Sequence, residues 1–234
     1  MPRHLKLWLA SSLPALAVAI AGCSSGSSAD DGLAAKPPSE ILAASKAAAD
    51  SASSVHVAGT LSNGTPITLN LRLASGHGGR GQISQGGLAF ELIVLGETIY
   101  IKGSPAFYGH FGAGAAAELF RGKWLKAPIS GGKLASLAAL TNFRRLLDQT
   151  LTSDGTLTKG ATITIGGEPA IELRDTSNNS SLLIASTGKP YPLEIVKHGS
   201  ETGHIAFGDW NQPVSLSAPA HVVDLSQLQG HTGH

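Results

Sequence analysis

Residues 88–103 read LAFELIVLGETIYIKG, and the arrangement of this stretch decides the fold. Apolar and polar or mixed positions alternate with a period of two, the mark of a strand with one buried face. Gly96-Glu97 sits at the centre, a glycine-first pair suited to a two-residue type II′ turn. Counting outward from it pairs Val94 with Ile99, Leu92 with Ile101 and Phe90 with Gly103. The other face then pairs Ile93 with Tyr100 and Glu91 with Lys102, an opposite-charge cross-strand contact. One face of this hairpin is wholly apolar and has to be covered.

Upstream, VHVAGTL (55–61) and TPITLNLRLA (65–74) flank Ser62-Asn63-Gly64 and read as a second hairpin. A two-residue Asn-Gly loop would set the valines opposite Asn70 and Arg72. A three-residue loop ending in Gly64 pairs Val55 with Leu71, Val57 with Leu69 and Gly59 with Ile67, which gathers the aliphatics on one face. That register is expected. GHGGRG (76–81) lacks a Walker lysine and reads as a hairpin loop, not a phosphate cradle. Before the strands, Ser39 follows Pro37-Pro38 and is expected to cap a helix over 39–52, with Glu40 in its first turn. Ile41, Leu42, Ser45, Ala48 and Ala49 form its narrow docking stripe.

Downstream, residues 105–151 interrupt the strands. KLASLAALTNFRRLLDQTL (133–151) places Leu140, Phe143, Leu147 and Leu151 on one helical stripe. Short strands then return (TLTKGATITIGG, EPAIELRD, SLLIAS, YPLEIVKHG, HIAFGDW), separated by tight turn clusters, so they pair antiparallel. The reading is a single α+β domain: one large, strongly curved antiparallel sheet with helical insertions over its apolar face.

The N-terminus addresses the chain. Residues 1–6 carry Arg3 and Lys6, residues 7–21 are apolar or small with Pro14 among them, and the stretch is too short to span a bilayer convincingly. Ile20-Ala21-Gly22-Cys23 resembles the bacterial lipobox, which makes residues 1–22 a lipoprotein signal peptide and Cys23 the lipid attachment site. A lone cysteine has no partner for a disulfide or a thiolate zinc site. The anchor implied is a diacylglyceryl thioether, usually with an amide-linked chain such as palmitate, because one acyl chain alone holds a membrane only marginally. Removing residues 1–22 takes two of the 17 basic residues and none of the 16 acidic ones, turning a formal charge of +1 into −1. A near-neutral surface gives no electrostatic reason to bind nucleic acid. Residues 23–38 read as the lipidated end and a flexible leash, 39–225 as the domain, and 226–234 as a tail.

No enzymatic signal stands out. Nine histidines include no His-Glu-x-x-His, and His231 and His234 lie in a glycine-rich end that reads as solvated tail more readily than as weak metal capture. His56 and His204 read as polar strand residues. Ser130-Gly131-Gly132-Lys133 matches Ser-x-x-Lys formally, but its glycines disfavour the helix that pattern needs, and no Ser-Asp-Asn or Lys-Thr-Gly follows. Trp124 and Trp210 read as core fillers. No catalytic residue, metal or cofactor is expected.

SASSVHVAGTL, ETIYIKG followed by GKWLKAP, ASTGKPYPLEIV and FGDWNQPVSLSAP, taken in order and behind a lipobox, resemble segments of the actinobacterial LppX/LprAFG lipoproteins and the wider LolA-like carriers. In FGDWNQPVSLSAP the likeness is to the family's closing strand. The resemblance implies a half-barrel with helices on its concave side and a hydrophobic cavity between them. It further implies an extracytoplasmic protein on the outer face of the bacterial cell membrane, with acyl-chain lipid, glycolipid or lipidated-protein cargo and a membrane exporter as partner. The lining expected is Leu88, Phe90, Leu92, Val94, Ile99 and Ile101 from the strands with Leu140, Phe143 and Leu147 from the covering helix. The same apolar run would also serve a filled core, so the alternative is a tethered interaction or assembly module without lipid cargo.

Overall fold

The computed structural model describes residues 32–229 apart from 112–113, 131–132 and 152–154. Cys23, the signal peptide and the histidine-bearing end lie outside the described residues.

Eleven strands pair antiparallel with their sheet neighbours and a twelfth joins at one edge, giving one curved sheet, a half-barrel in an α+β domain. In chain order the strands are β1 (Ser54–Asn63), β2 (Thr65–Ala74), β3 (Gly78–Gln85), β4 (Leu88–Leu95), β5 (Thr98–Gly103), β6 (Trp124–Pro128), β7 (Leu157–Ile165), β8 (Glu168–Asp175), β9 (Ser180–Ala185), β10 (Pro192–Lys197), β11 (Thr202–Gly208) and β12 (Val222–Asp224). Across the sheet they run β12-β6-β5-β4-β3-β2-β1-β11-β10-β9-β8-β7. The helices are α1 (Pro38–Asp50), α2 (Pro105–His110), α3 (Lys133–Ala138), α4 (Phe143–Thr150) and α5 (Leu225–Gln229).

The hairpin read from residues 88–103 forms in the expected register, with Phe90 opposite Gly103, Leu92 opposite Ile101 and Val94 opposite Ile99. Leu95 pairs with Thr98 across the two-residue loop, and Gly96 takes φ +55°, the left-handed value that primed turns demand. Leu92, Ile99 and Ile101 are completely buried, each contributing about 1.5–3 kcal/mol of transfer free energy.

The β1–β2 register departs from expectation by two residues. Val55 faces Leu73, Val57 faces Leu71 and Gly59 faces Leu69, because the loop centres on Gly64 (φ +84°) and not on Asn63. A slip of two preserves every side chain's face, so the aliphatic surface is the one expected although the partners differ. The GHGGRG stretch is mostly not a loop: the turn occupies 75–77, and Gly78 to Gly81 begin strand β3. Residues 105–151 are likewise not all insertion, since they contain β6. One neighbouring pair, β12 with β6, is parallel. Of the segment likened to a closing strand, only the first residues belong to β11, and Asp209 to Pro219 carry no regular structure. Residues 225–229, expected as the domain's last residue and a tail, form α5.

Helix α1 begins a residue earlier than expected. Pro37 is its N-cap and Pro38 its first residue, where a missing N–H costs nothing, so Ser39 does not cap it. The stripe Ile41, Ser45, Ala49 is buried, while Leu42 and Ala48 flank it half-buried. The expected helix over 133–151 is two helices. After a 3-10 turn at Ala139–Thr141 the chain extends at Asn142, whose Oδ1 accepts the Arg145 N–H at 3.0 Å and starts α4. Thr141 is thereby buried, its hydroxyl donating to Ala138 O at 2.9 Å, and Leu140 is turned out to 36% exposure. The end of the expected leash is docked: Leu33 is buried beside Ile41, and Lys159 Nζ donates to Ala34 O at 2.5 Å.

Candidate functional site

Two apolar clusters lie under the helices. The larger joins β1–β6 to α2 and α4 through residues such as Val57, Leu71, Leu92, Ile101, Phe107, Phe143 and Leu147. The smaller joins α1 to β8 and β9 through Leu33, Ile41, Ile171, Leu173 and Ile184. Where they meet, a cavity of about 230 Å³ is lined by Leu42 of α1, Leu61 of β1, Leu151 after α4, Leu157, Leu173, Leu182, Ile195 and Ile205. Its rim is polar, formed by Asp175, Asn178, Ser180 and Lys197.

The register explains this division. Leu173 pairs with Leu182, Leu182 with Ile195 and Ile195 with Ile205, an aliphatic row across four strands. Two residues along each strand, on the same face, Asp175 pairs with Ser180 and Ser180 with Lys197. The surface thus changes from hydrocarbon to polar within one step of about 7 Å. In the rim, Asp175 Oδ1 accepts from the Ser177 N–H at 2.9 Å and the Ser177 hydroxyl at 2.5 Å, and Oδ2 accepts from Asn178 Nδ2 at 3.2 Å. The Ser180 hydroxyl donates to Asn178 Oδ1. Lys197 Nζ stands 3.8 Å from Glu201 Oε2, longer than a charge-assisted hydrogen bond of about 2.7–2.9 Å. Between the two helices, Lys46 of α1 and Asp148 of α4 approach to 3.9 Å, an exposed pair of about 0–1 kcal/mol at most.

None of the nine residues expected as lining borders this cavity. Leu92, Val94, Ile99, Ile101, Phe143 and Leu147 are buried in the larger cluster, where side chains fill the space. Phe90 is half-buried against the Phe107 ring at 4.7 Å, and Phe107 lies 4.5 Å from Phe111. Leu88 is half-exposed at the start of β4, and Leu140 faces outward. Val94 and Phe143 also edge a cleft of about 460 Å³ with Ile129 and Ala138. The signal that could have located the cavity is the cross-strand row ending in Lys197, which shows only once strand partners are known.

A larger concavity of about 570 Å³ opens on the outer face of β2–β5, but its side chains include Thr68, Asn70, Gln82, Ser84, Glu91 and Lys102. Charge and amide surface there suits water better than hydrocarbon. Trp124 also lies outside the filled core, half-buried with Lys102 Nζ 5.5 Å from its ring centre. Trp210 stacks on Tyr191 at 4.6 Å and donates to Pro192 O at 3.3 Å, closing the sheet beneath β10 and β11. His56 does pair as a polar strand residue, with Nε2 2.9 Å from Asn70 Oδ1, and His204 is exposed on β11. Among the described residues, no group of three or more His, Cys, Asp or Glu side chains gathers at metal-binding distance, and no helix is long and apolar enough to cross a membrane.

No protein-family model matches the sequence, and no curated protein matches it. Solved structures do. LprF from Mycobacterium bovis superposes with a TM-score of 0.57 at 16% identity, over 78% of this chain and 97% of LprF. The chain has the fold of LprF. The Mycobacterium tuberculosis lipoprotein LppX follows with a TM-score of 0.49 at 17% identity, over 81% of this chain and all of LppX. The sequence resemblance to LppX/LprAFG proteins is thus met by an LprF-like architecture, and at such identity the likeness speaks for the fold. In this LprF-like sheet the aliphatic cavity lies on the helix-covered face, between α1, Leu151 at the end of α4, Leu61 of β1 and strands β7–β11.

Proposed function

We propose that this chain is a membrane-tethered extracytoplasmic carrier that holds an acyl chain of a lipid, glycolipid or lipidated protein and conveys it across the cell envelope. The observation that carries the reading is the aliphatic cavity with a polar rim at the seam of two core clusters. Its aliphatic wall suits a hydrocarbon chain and its polar rim a head group, the two requirements of an amphiphile. Cys23, in the lipobox, supplies the tether. No catalytic step, metal or cofactor belongs to this reading, and a membrane exporter is its natural partner. About 230 Å³ lies below the ~300–1,000 Å³ of ordinary small-molecule pockets, so bulky cargo requires α1 and α4 to part.

One observation favours a second reading, a tethered interaction module without cargo: the region beneath α4 that the longest apolar strands present is filled by side chains. The experiment that separates them uses residues 24–234, which contain every described residue. Protein purified from lipid-containing cells is examined by native mass spectrometry and organic extraction. Stoichiometric lipid supports the carrier; clean protein that takes up no added acyl ligand supports the module.

A further inference from the structure

Resting on the carrier reading, we infer that the cavity takes a single aliphatic chain bearing an anionic head, with Lys197 as the head-group contact. Three observations converge. The space is about 230 Å³, and the next inward-facing pair beyond the aliphatic row, Ile171 and Ile184, is packed to 1% and 0% exposure. A chain entering past the rim therefore stops at that floor, and about 230 Å³ leaves little room for a second. The polar change comes in one row, so the boundary between chain and head is fixed at Ser180 and Lys197. The rim's acceptors and donors differ in what they are already doing. Asp175 is engaged by its own turn through Ser177 and Asn178, and the Ser180 hydroxyl by Asn178. The Lys197 ammonium, 3.8 Å from Glu201, keeps donors to offer an oxyanion at closer range. Carboxylate and phosphate heads share that chemistry.

The test is calorimetric titration of residues 24–234, stripped of lipid, with decanoate, decyl phosphate, monodecanoylglycerol and a two-chain didecanoyl phosphatidylglycerol. One-to-one binding of decanoate or decyl phosphate is expected, and which binds more tightly identifies the head. In a series from octanoate to palmitate, affinity rises about fourfold per methylene and then levels where the chain meets the floor. Lys197→Gln weakens the anionic ligands about tenfold and changes monodecanoylglycerol less than twofold. Leu182→Trp, placed in the aliphatic row, removes binding of all single-chain ligands while Lys197→Gln, at the rim, leaves the fold untouched. Tight binding of the two-chain lipid without the single-chain ones overturns this inference and leaves the carrier standing. Equal effects of Lys197→Gln on charged and neutral ligands overturn the head-group assignment. Absence of all acyl binding overturns inference and carrier together.

Discussion

Glu91 Oε1 and Lys102 Nζ meet at 2.8 Å across β4 and β5, on the face opposite the completely buried Leu92 and Ile101. Two adjacent residues of one strand thus serve solvent and core in turn, as period-two patterning demands. Both charged side chains are about a third to a half exposed, Lys102 at 34% and Glu91 at 47%. Glu91→Gln and Lys102→Met are each expected to lower unfolding free energy by less than about 1 kcal/mol, with a double-mutant coupling of ~0.2–1 kcal/mol. Urea unfolding of the four proteins in the cycle measures it, and a coupling of several kcal/mol would contradict the surface placement.

That hairpin was legible because a glycine-first turn and unbroken alternation fix the register together. Strand β3 was not. Its inward positions include Gly79 and Gly81, so the apolar half of the pattern is missing and only Ile83 remains. The glycines are there for space: a Cβ on Gly81 would come 2.1 Å from Asn70 O and 2.8 Å from Leu71 Cα. Close strand approach thus erases the signal that normally reveals a strand. The seam cavity is hidden in the sequence for a related reason. The longest apolar run attracts attention as a lining, yet large aliphatics facing Phe143 and Leu147 pack best. Space remains beside α1, where Leu42 is half-buried and much of the helix is alanine.

The same helix holds a polar defect. Ser45 Oγ is fully buried without a hydrogen-bond partner. An unsatisfied buried hydroxyl costs about 1–3 kcal/mol, and alanine is the better helix former. Ser45→Ala is therefore expected to raise stability by about 1 kcal/mol, read as an increase in the urea midpoint with unchanged slope. A loss of stability would mean that the hydroxyl finds a partner in solution.

Docking of the terminal strand should respond to acid. Asp224 accepts from the Ser226 hydroxyl at 2.6 Å, Lys126 Nζ at 2.9 Å and the Ser226 N–H at 3.0 Å, which together hold its carboxyl down at about 2 from 3.8. A depressed carboxylate stabilises the fold above its unfolded value of about 3.9, and that contribution is lost as pH falls through the folded value. The protection factor of the Val222–Asp224 amides, the observed rate divided into the intrinsic rate at each pH, is expected to fall between about pH 4 and pH 2 before that of the rest of the sheet. Asp224→Asn should show faster exchange at pH 7 and no such step.

The anchor rests on Ile20-Ala21-Gly22-Cys23, outside the described residues. Cys23→Ala leaves no thiol to accept a diacylglyceryl group, so an uncleaved or mis-sorted precursor is expected. The unaltered protein should enter the detergent phase, begin at Cys23 after cleavage and carry acyl mass on that residue. A mature protein of unmodified mass that starts elsewhere than Cys23 would remove the tether from the proposed function.

Leu92→Trp separates the packed half of the half-barrel from the open half. Leu92 is 0% exposed among Leu71, Ile101 and Leu125, and no cavity adjoins its side chain on the helix-covered face. Inserting an indole there forces neighbours off their rotamers, a cost of about 1–3 kcal/mol. The seam cavity is bordered by different residues, so the folded fraction should bind acyl ligand with unchanged affinity and stoichiometry. Leu182→Trp should do the reverse, with small loss of stability and complete loss of binding. Thermal unfolding and ligand titration on the two variants give four numbers. If Leu92→Trp instead abolished binding without destabilising the fold, the cargo would lie beneath α4, where the longest apolar strands pointed, and the seam would be ordinary packing.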